Sequence, residues 1–254
     1  MSGERGVVAD YWEEHAGRYD DDFGDPGSDG HALRARLAAT LRLLGAGPGD
    51  LLDAGMGPGR LCEALDQQGW TVSGVDVSGS MVELAQRRVP SAAARLVVGE
   101  IERLPFDDEL FDAVVATGVL EYADVTRALG ELNRVARPGG LVVVSYPNPH
   151  ALYGIWKTQV FYRSVRVLKR LGRRPHHWMP RGGPTVSPNR FAGLLRSAGL
   201  VVESVEHTSY LVVPTPLDAM LPRVTARLGA RLEGSSRPAR LLATQVVYAA
   251  RKPS

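Results

Sequence analysis

One stretch of the chain combines a carboxylate with three alternate glycines. Leu51 and Leu52 precede Asp53, and glycines follow at positions 55, 57 and 59. The apolar start is typical of a buried parallel strand, and glycines let the backbone pass close to a ligand. A dinucleotide fingerprint needs G-x-G-x-x-G, whereas here the third glycine comes one residue early and Arg60 stands in the later position. The Asp53 carboxylate would repel a pyrophosphate but attract an ammonium group. A tight turn that binds no ligand is the alternative.

A second carboxylate follows the next predicted strand, residues 70–75. Asp76 lies 17 residues beyond Gly59, close to the spacing of about 20 expected for an acid that accepts the two ribose hydroxyls of an adenine nucleoside. A solvated aspartate at a strand end is the alternative. Ser78 is expected to be a helix N-cap, with Met81 one turn into that helix.

The pattern D-x-G-x-G-x-G at residues 53–59 resembles the first motif of the class I S-adenosylmethionine-dependent methyltransferases. Three other segments resemble parts of the same family: A-x-x-Y-D at residues 16–20, G-E-I-E-R-L-P-F at 99–106 and R-P-G-G at 137–140. The family's form of the middle segment is G-D-A-x-x-L-P-F, so Glu100 and Ile101 depart from it. Because the core motifs occur in order along residues 51–146, the set is more specific than any one of them.

The resemblance implies S-adenosylmethionine as the cofactor. Asp76 would accept hydrogen bonds from the ribose, Asp53 and the glycine turn would hold the methionine end, and Glu100 with Ile101 would read the adenine edge. The loop after the fourth strand would lie along the methionine moiety, and the helix of residues 8–19 would form a lid, unless it merely packs on the sheet edge. The expected cofactor residues are Tyr11, Tyr19, Asp53, Ala54, Gly55, Met56, Gly57, Gly59, Asp76, Val77, Met81, Glu100, Ile101, Thr117, Gly118, Val119 and Tyr122. No metal site is expected.

Alternating strand and helix patterns predict an α/β fold, with a doubly wound, Rossmann-like sheet of seven strands and helical cap inserts. The sheet should be mostly parallel with an antiparallel last strand, and its ligand should lie at the carboxyl ends of the strands. We expect one domain over residues 1–254, made of an N-terminal helical lid (1–45), a cofactor-binding core (46–146) and two helical inserts on the acceptor side (147–186 and 209–238). With 44% hydrophobic residues the chain can bury a large core. Cys62, the single cysteine, is expected to be a buried structural thiol.

Charge is sorted along the chain although the net charge is only +2. Residues 1–31 hold nine acids and two arginines, whereas the interval between Glu131 and Glu203 holds twelve basic residues and no acid. Within it, residues 156–174 are predicted to form a basic amphipathic helix. Such a helix suits an anionic small molecule, an acidic carrier protein that presents an acyl chain, or an anionic membrane surface. Simple solvation of the charged face is the alternative. A nucleic-acid partner is not expected, because nothing marks a base-reading element.

No apolar run approaches the roughly 18 residues that spanning a bilayer requires, and the acidic start is unlike a secretory signal. We therefore expect a cytoplasmic protein. The sequence leaves its oligomeric state open.

Methyl transfer from a sulfonium is an in-line displacement, which needs a general base only if the acceptor atom starts protonated. We expect a small or carrier-bound metabolite, methylated on O, N or C. For a hydroxyl acceptor His150 is the expected base, because it follows the fifth strand at the carboxyl edge, with His176 and His177 on the insert as further candidates. Solvated loop histidines are the alternative.

Two other classes of function remain open. A nucleotide-dependent oxidoreductase would share the sheet, but the glycine spacing and the R-P-G-G segment disfavour it. A non-catalytic binding module would use the basic insert, and the full set of cofactor motifs disfavours that.

Overall fold

The computed structural model describes residues 2–156, 185–213, 217–233 and 240–254. Strands and helices alternate along most of these residues. The strands are β1 (Asp50–Ala54), β2 (Thr71–Asp76), β3 (Leu96–Val98), β4 (Phe111–Ala116), β5 (Ala136–Pro147), β6 (Val201–Tyr210) and β7 (Ala243–Arg251). The helices are α1 (Ser2–Asp22), α2 (Ser28–Leu44), α3 (Arg60–Gln67), α4 (Gly79–Arg88), α5 (Val125–Val135), α6 (Leu152–Ile155), α7 (Pro188–Ser197), α8 (Leu217–Met220) and α9 (Pro222–Leu232). Short 3₁₀ turns cover Pro90–Arg95 and Leu120–Tyr122.

The seven strands form one sheet in the order β3-β2-β1-β4-β5-β7-β6. Neighbours from β3 to β5 pair in parallel, whereas β7 is antiparallel to both β5 and β6. The predicted doubly wound sheet with an antiparallel last strand is therefore confirmed.

Strand order reverses at β1, which places the candidate site. Asp53 of β1 pairs with Gly74 of β2 on one side and with Val115 of β4 on the other. The carboxyl ends of these three strands therefore meet at one edge of the sheet. In open α/β sheets a ligand crevice forms at such a point.

Several helices begin where the sequence supplies an N-cap. The Ser78 hydroxyl accepts a hydrogen bond from the backbone N–H of Met81 at the start of α4. The Asp124 carboxylate accepts from the backbone N–H of Thr126 in the first turn of α5, and Ser187 caps α7. Each cap satisfies a backbone donor that has no partner within its helix. The local sequence thus fixes where these crossover helices start.

Helices cover both faces of the sheet and divide the core in two. One cluster of buried side chains includes Leu129 and Leu132 of α5 and Phe191 of α7. The other includes Leu65 and the thiol of Cys62 on α3, so the prediction that this cysteine is buried is confirmed. Because both faces are covered, the middle of each central strand is apolar, with Leu51 and Leu52 in β1 and residues 113–116 in β4.

The N-terminal region is more helical than the sequence predicts. Helix α1 spans 21 residues, where the sequence predicts a helix over residues 8–19, and α2 follows from Ser28. A short turn is enough between them because Arg34 of α2 donates hydrogen bonds to the carbonyl oxygens of Phe23 and Asp25. These bonds satisfy carbonyl groups that a longer loop would leave to water.

The expected inserts differ from the prediction in extent. Strand β6 runs into the second expected insert as far as Tyr210, which pairs with Ala243 of β7. Glu233 accepts hydrogen bonds there from the backbone N–H groups of Ser209 (3.0 Å) and Tyr210 (3.3 Å). Helices α8 and α9 make up the described part of the second insert. In the first insert α6 is described, whereas residues 157–184 lie outside the described residues. The division into lid, core and inserts stays a prediction.

Arg134 of α5 fastens the segment between β3 and β4. Its guanidinium donates hydrogen bonds to the carbonyl oxygens of Leu104 (3.1 Å) and Phe106 (2.8 Å) and forms an ion pair with Glu131 (2.8 Å). The same segment carries Glu100 into the candidate site, so this contact links a helix on the sheet face to the ligand edge.

We expect Arg134→Ala to lower the free energy of unfolding by about 2–3 kcal/mol, because it removes charge-assisted hydrogen bonds and leaves carbonyl acceptors without their donor. Urea denaturation measures this loss. Arg127→Ala is the matched control, since Arg127 is an exposed residue of the same helix and should change stability by less than about 0.5 kcal/mol. Equal losses in the two variants would contradict the assignment.

Candidate functional site

The glycine turn after β1 lies between the end of β2 and the loop after β4. The N–H groups of Gly55 (2.7 Å) and Met56 (3.1 Å) both donate to the carbonyl oxygen of Val75. Gly55 has a φ of +81°, and a Cβ built on it would lie 2.7 Å from Val119. Other residues rarely adopt this φ, and none would fit the space. Glycine is therefore required here by conformation and by packing.

Asp76 ends β2 beside this turn. Its Oδ2 accepts a hydrogen bond from the Gly57 backbone N–H (2.9 Å), and its Oδ1 accepts one from the Ser78 backbone N–H (3.0 Å). Burial raises the pKa of Asp76, and these two N–H donors offset part of the rise. The carboxylate thus joins the glycine turn to the start of α4.

Asp53 is the penultimate residue of β1 and is only 2% exposed. The Cys62 thiol is its hydrogen-bond donor, with 3.4 Å between Sγ and Oδ2. Burial raises the pKa of Asp53 to about 7; the thiol lowers the pKa in part, and the negative charge of Asp76 raises it further. The carboxyl of Asp53 is therefore poised between its neutral and ionised forms near neutral pH, where a nearby cation would favour ionisation.

These residues line a cavity of about 650 Å³. Most of the residues predicted from the sequence come together in its wall. They are Tyr19, Asp53, Gly55, Met56, Gly57, Asp76, Val77, Met81, Glu100, Ile101, Thr117, Gly118, Val119 and Tyr122. Three predicted residues lie elsewhere: Ala54 is fully buried in β1, Gly59 packs against Ala85, and Tyr11 faces a neighbouring cavity.

A second cavity of about 660 Å³ adjoins the first. Seven residues line both: Trp12, Tyr19, Leu33, Arg36, Gly118, Glu121 and Tyr122. The remaining wall of the second cavity comes from α1, α2 and the start of β7, where Gln245 pairs with Pro147 at the carboxyl end of β5. Both cavities thus lie at the ligand edge of the sheet.

Comparisons with known proteins agree with this geometry. A protein family described as a methyltransferase domain matches residues 52–144. A demethylmenaquinone methyltransferase from Thermus thermophilus is 38% identical over 148 residues, which cover 56% of this chain and 67% of the relative. A malonyl-[acyl-carrier protein] O-methyltransferase from Serratia marcescens is 38% identical over 109 residues, 41% of this chain and 42% of the relative.

The chain belongs to the class I S-adenosylmethionine-dependent methyltransferases. Among solved structures it is similar to an S-adenosylmethionine-dependent methyltransferase from Thermotoga maritima, described as a possible histamine N-methyltransferase. The TM-score is 0.64 at 21% identity, and the match covers 96% of this chain and 99% of that one, so this likeness concerns the fold. The chain spans 42% to 67% of the length of the first curated relatives it matches.

S-adenosylmethionine is the cofactor of this family, and the first cavity fits it. Carboxylates at two strand ends can receive an ammonium group and ribose hydroxyls. A Cβ built on Gly57 would have Tyr19 as its nearest neighbour, at 3.8 Å, so the turn leaves open space beside the cavity. Val77, Met81 and Ile101 add apolar wall suited to a base.

Helix α1 is held over the first cavity by two sets of polar contacts. Glu13 accepts hydrogen bonds from the hydroxyls of Ser78 and Ser80, each at 2.7 Å, at the start of α4. Asp20 forms ion pairs with Arg60 and Arg88, both at 2.7 Å. Burial alone would raise the pKa of Asp20, but its hydrogen bonds to Arg88 and Arg60 outweigh burial and lower the pKa.

Sequence reasoning missed several residues of the wall, and Arg36 of α2 is the most informative. Its Nη2 donates to the Tyr19 hydroxyl at 3.1 Å, and its guanidinium lies against Gly118, whose φ is +71°. Burial would lower the pKa of Arg36, but Tyr19 and Glu121 outweigh that effect and raise it. The available signal was a charge at helical spacing from Leu33 on an otherwise apolar face.

The histidines nominated as bases are not brought to either cavity by the described residues. His150 is exposed, and its backbone N–H donates to the Asn148 side chain at 3.1 Å. It lines neither cavity. His176 and His177 lie outside the described residues, as does the basic helix predicted beyond residue 156. Among the helices that are described, none is long and apolar enough to cross a membrane.

We expect Asp20→Asn to loosen helix α1, because the substitution removes the negative charge that holds Arg60 and Arg88. Loss of charge-assisted hydrogen bonds worth about 1.5–3 kcal/mol should speed amide hydrogen exchange within α1 by about tenfold or more. Mass-spectrometric exchange measures this rate. Asp21→Asn, an exposed acid on the same helix, is the control. Unchanged exchange in the Asp20 variant would show that these ion pairs do not hold α1 in place.

Proposed function

We propose that the protein transfers the methyl group of S-adenosylmethionine to a small or carrier-bound metabolite in a biosynthetic reaction. The observation that carries this proposal is the pair of carboxylates, Asp53 and Asp76, which lie at the carboxyl ends of two adjacent strands, beside a glycine turn, in one cavity. S-adenosylmethionine needs one carboxylate for its ammonium group and another for its ribose hydroxyls. It also needs a backbone that can approach it closely between the two, and few other ligands share all three needs.

Roles for the wall residues follow from their positions in the first cavity. Asp76 accepts hydrogen bonds from the ribose hydroxyls, and Asp53 faces the ammonium group of the methionine end. Glu100 and Ile101 border the adenine, while the loop of residues 117–122 lies along the methionine moiety. Tyr19 on α1 closes the cavity from the lid side.

The bound cofactor supplies an electrophilic methyl group on a sulfonium. The protein's contribution is to align the acceptor with that group and to exclude water. The lid meets both tasks, because Trp12 of α1 packs edge-on against Tyr122 with ring centroids 5.7 Å apart. This contact joins the lid to the loop after β4 across the cavity.

For the acceptor we propose a class of molecules and not a single compound. The acid-free interval of residues 132–202 supports an anionic or carrier-tethered acceptor, as does the likeness to an enzyme named for malonyl-[acyl-carrier protein]. Incubation with methyl-labelled cofactor and an extract of the host, followed by identification of the labelled product, tests this part. A labelled neutral, untethered product would contradict it. A cytoplasmic location stays a prediction.

Calorimetry with S-adenosylhomocysteine tests the cofactor site. We expect Asp76→Ala to weaken binding about tenfold or more, because removing a charged acceptor costs about 1.5–3 kcal/mol. Asp107→Ala is the matched control, since Asp107 is exposed and does not line the cavity. Unchanged affinity in a folded Asp76 variant would contradict the proposal that Asp76 binds the ribose hydroxyls.

Binding should also depend on pH through Asp53, whose pKa in the ligand-free protein is raised to about 7. Below that pH the carboxyl is neutral and attracts an ammonium group only weakly, so affinity for S-adenosylhomocysteine should rise from pH 5.5 to 7.5. The rise should approach tenfold per pH unit well below the pKa and should be accompanied by proton release. Calorimetry in buffers of different ionisation enthalpy measures both quantities.

Methylthioadenosine is the matched control ligand, because it keeps the nucleoside but lacks the amino acid. Its affinity should not follow the titration of Asp53, and Asp53→Asn should remove the rise for S-adenosylhomocysteine. If both ligands show the same pH dependence in the wild-type protein, Asp53 does not bind the ammonium group.

A further inference from the structure

The second cavity is placed to hold the acceptor, an inference that rests on the proposed function. It shares a wall with the cofactor cavity, and that wall contains the loop expected along the methionine moiety. A methyl group carried at the methionine end would therefore face the second cavity. The volume of about 660 Å³ is in the range of pockets for drug-sized molecules.

Aromatic side chains dominate the lid side of this cavity. Tyr11, Trp12 and His15 lie on successive positions of the inner face of α1, with Tyr11 and His15 stacked at 4.1 Å between ring centroids. Tyr122 approaches Trp12 from the opposite side. Flat, rigid walls of this kind favour a planar, conjugated ligand.

His15 has a defined tautomer in this setting. Its Nδ1 lies 2.7 Å from the carbonyl oxygen of Tyr11. A carbonyl oxygen can only accept a hydrogen bond, so Nδ1 must carry the proton. In the neutral imidazole Nε2 then has a free lone pair, which is the form that a general base requires.

We propose that the second cavity binds an aromatic or enolic hydroxyl compound and that His15 is the general base for its O-methylation. The acceptor oxygen forms a bond to the methyl carbon as the carbon–sulfur bond breaks, and that bonding pair stays on sulfur. The hydroxyl proton passes to Nε2 of His15 and from the imidazolium to solvent, because the side chain is only partly buried. Arg36, on the shared wall, stabilises the negative charge that develops on the oxygen.

Other ionisable groups face the same cavity and must be separated from His15 in any pH profile. They are Tyr11, Arg18, Tyr19 and Asp22 on α1, Asp29 and Arg36 on α2, and Glu121 and Tyr122 on the loop after β4. Burial raises the pKa of Asp22, and Arg18 offsets part of the rise. Asp53 also titrates near neutral pH, but it acts through cofactor binding, so rates must be measured at saturating cofactor.

Histidine nitrogen NMR tests the tautomer without any acceptor. In protein labelled with ¹⁵N-histidine at pH 8, the His15 ring should show a protonated Nδ1 and an unprotonated Nε2. His15→Asn assigns the resonances, since it removes them while its amide can still donate to Tyr11. A proton on Nε2 in the free protein would overturn the proposal.

Methyl transfer to defined probes tests the catalytic step. The hydroxyl probes are 3,4-dihydroxybenzoate and 2,3-dihydroxynaphthalene, and the amine probe is 3,4-diaminobenzoate. We expect transfer to a hydroxyl probe, with kcat rising as the pH rises, as general-base catalysis requires. His15→Asn should lower kcat about 100-fold or more and abolish that rise. Its affinity for S-adenosylhomocysteine should stay within about twofold of wild type.

Glu14→Gln, an exposed neighbour on α1, is the matched control and should behave as wild type. Three results would overturn the proposal: an unchanged pH profile and rate in His15→Asn, a loss that follows His150→Gln instead, or transfer to the amine probe only. Failure of both hydroxyl probes to be methylated or to shift the His15 signals, with S-adenosylhomocysteine still bound, would also refute it. Loss of S-adenosylhomocysteine binding by the wild-type protein would instead refute the proposed function.

Discussion

Two carboxylates held out of water at the ends of neighbouring strands are the constraint around which the site is arranged. Burial raises the pKa of both Asp53 and Asp76, so each needs a partner to be ionised. Asp76 has two backbone N–H donors, from Gly57 and Ser78, whereas Asp53 has a weak thiol donor. This difference suits the two proposed ligand groups. A carboxylate already solvated by the backbone can receive neutral hydroxyls, while one without strong donors gains most from a cation.

The same turn also determines how the lid is attached. Arg60, the residue that departs from the dinucleotide fingerprint, lies directly after the last glycine and pairs with Asp20 of α1. Its guanidinium also lies 4.9 Å from the centre of the Phe23 ring. A positive charge at the start of α3 is unfavourable for the helix dipole, and the negative charge of Asp20 compensates for it. Helix α1 is thus joined to the residue after the glycine turn, so a movement of α1 would alter the turn beside which the cofactor is expected to bind.

The parts that sequence predicted correctly depend on local rules. The N-cap Ser78, the carboxylate at the end of β2 and the glycine turn are all specified by neighbours a few residues away. The end of β6, in contrast, contacts β7 and Glu233, which are both more than twenty residues along the chain. In the site, the contacts of Arg36 likewise could not be predicted from its neighbours in the sequence. Helical periodicity places it on the inner face of α2, but it cannot show that this face meets Gly118, since that contact is set by how α2 packs on the sheet.

Two cavities with one shared wall keep the two proton events of the proposed reaction apart. Ionisation of Asp53 accompanies binding at the cofactor end, whereas His15 receives a proton from the acceptor on the far side of the wall. Arg36 lies between them with its charge held by Tyr19 and Glu121. A fixed cation there favours an anionic oxygen on the acceptor and disfavours a protonated amine in the same place. The wall therefore adds to the selectivity for hydroxyl acceptors that the tautomer of His15 suggests, and it does so through charge and not through shape.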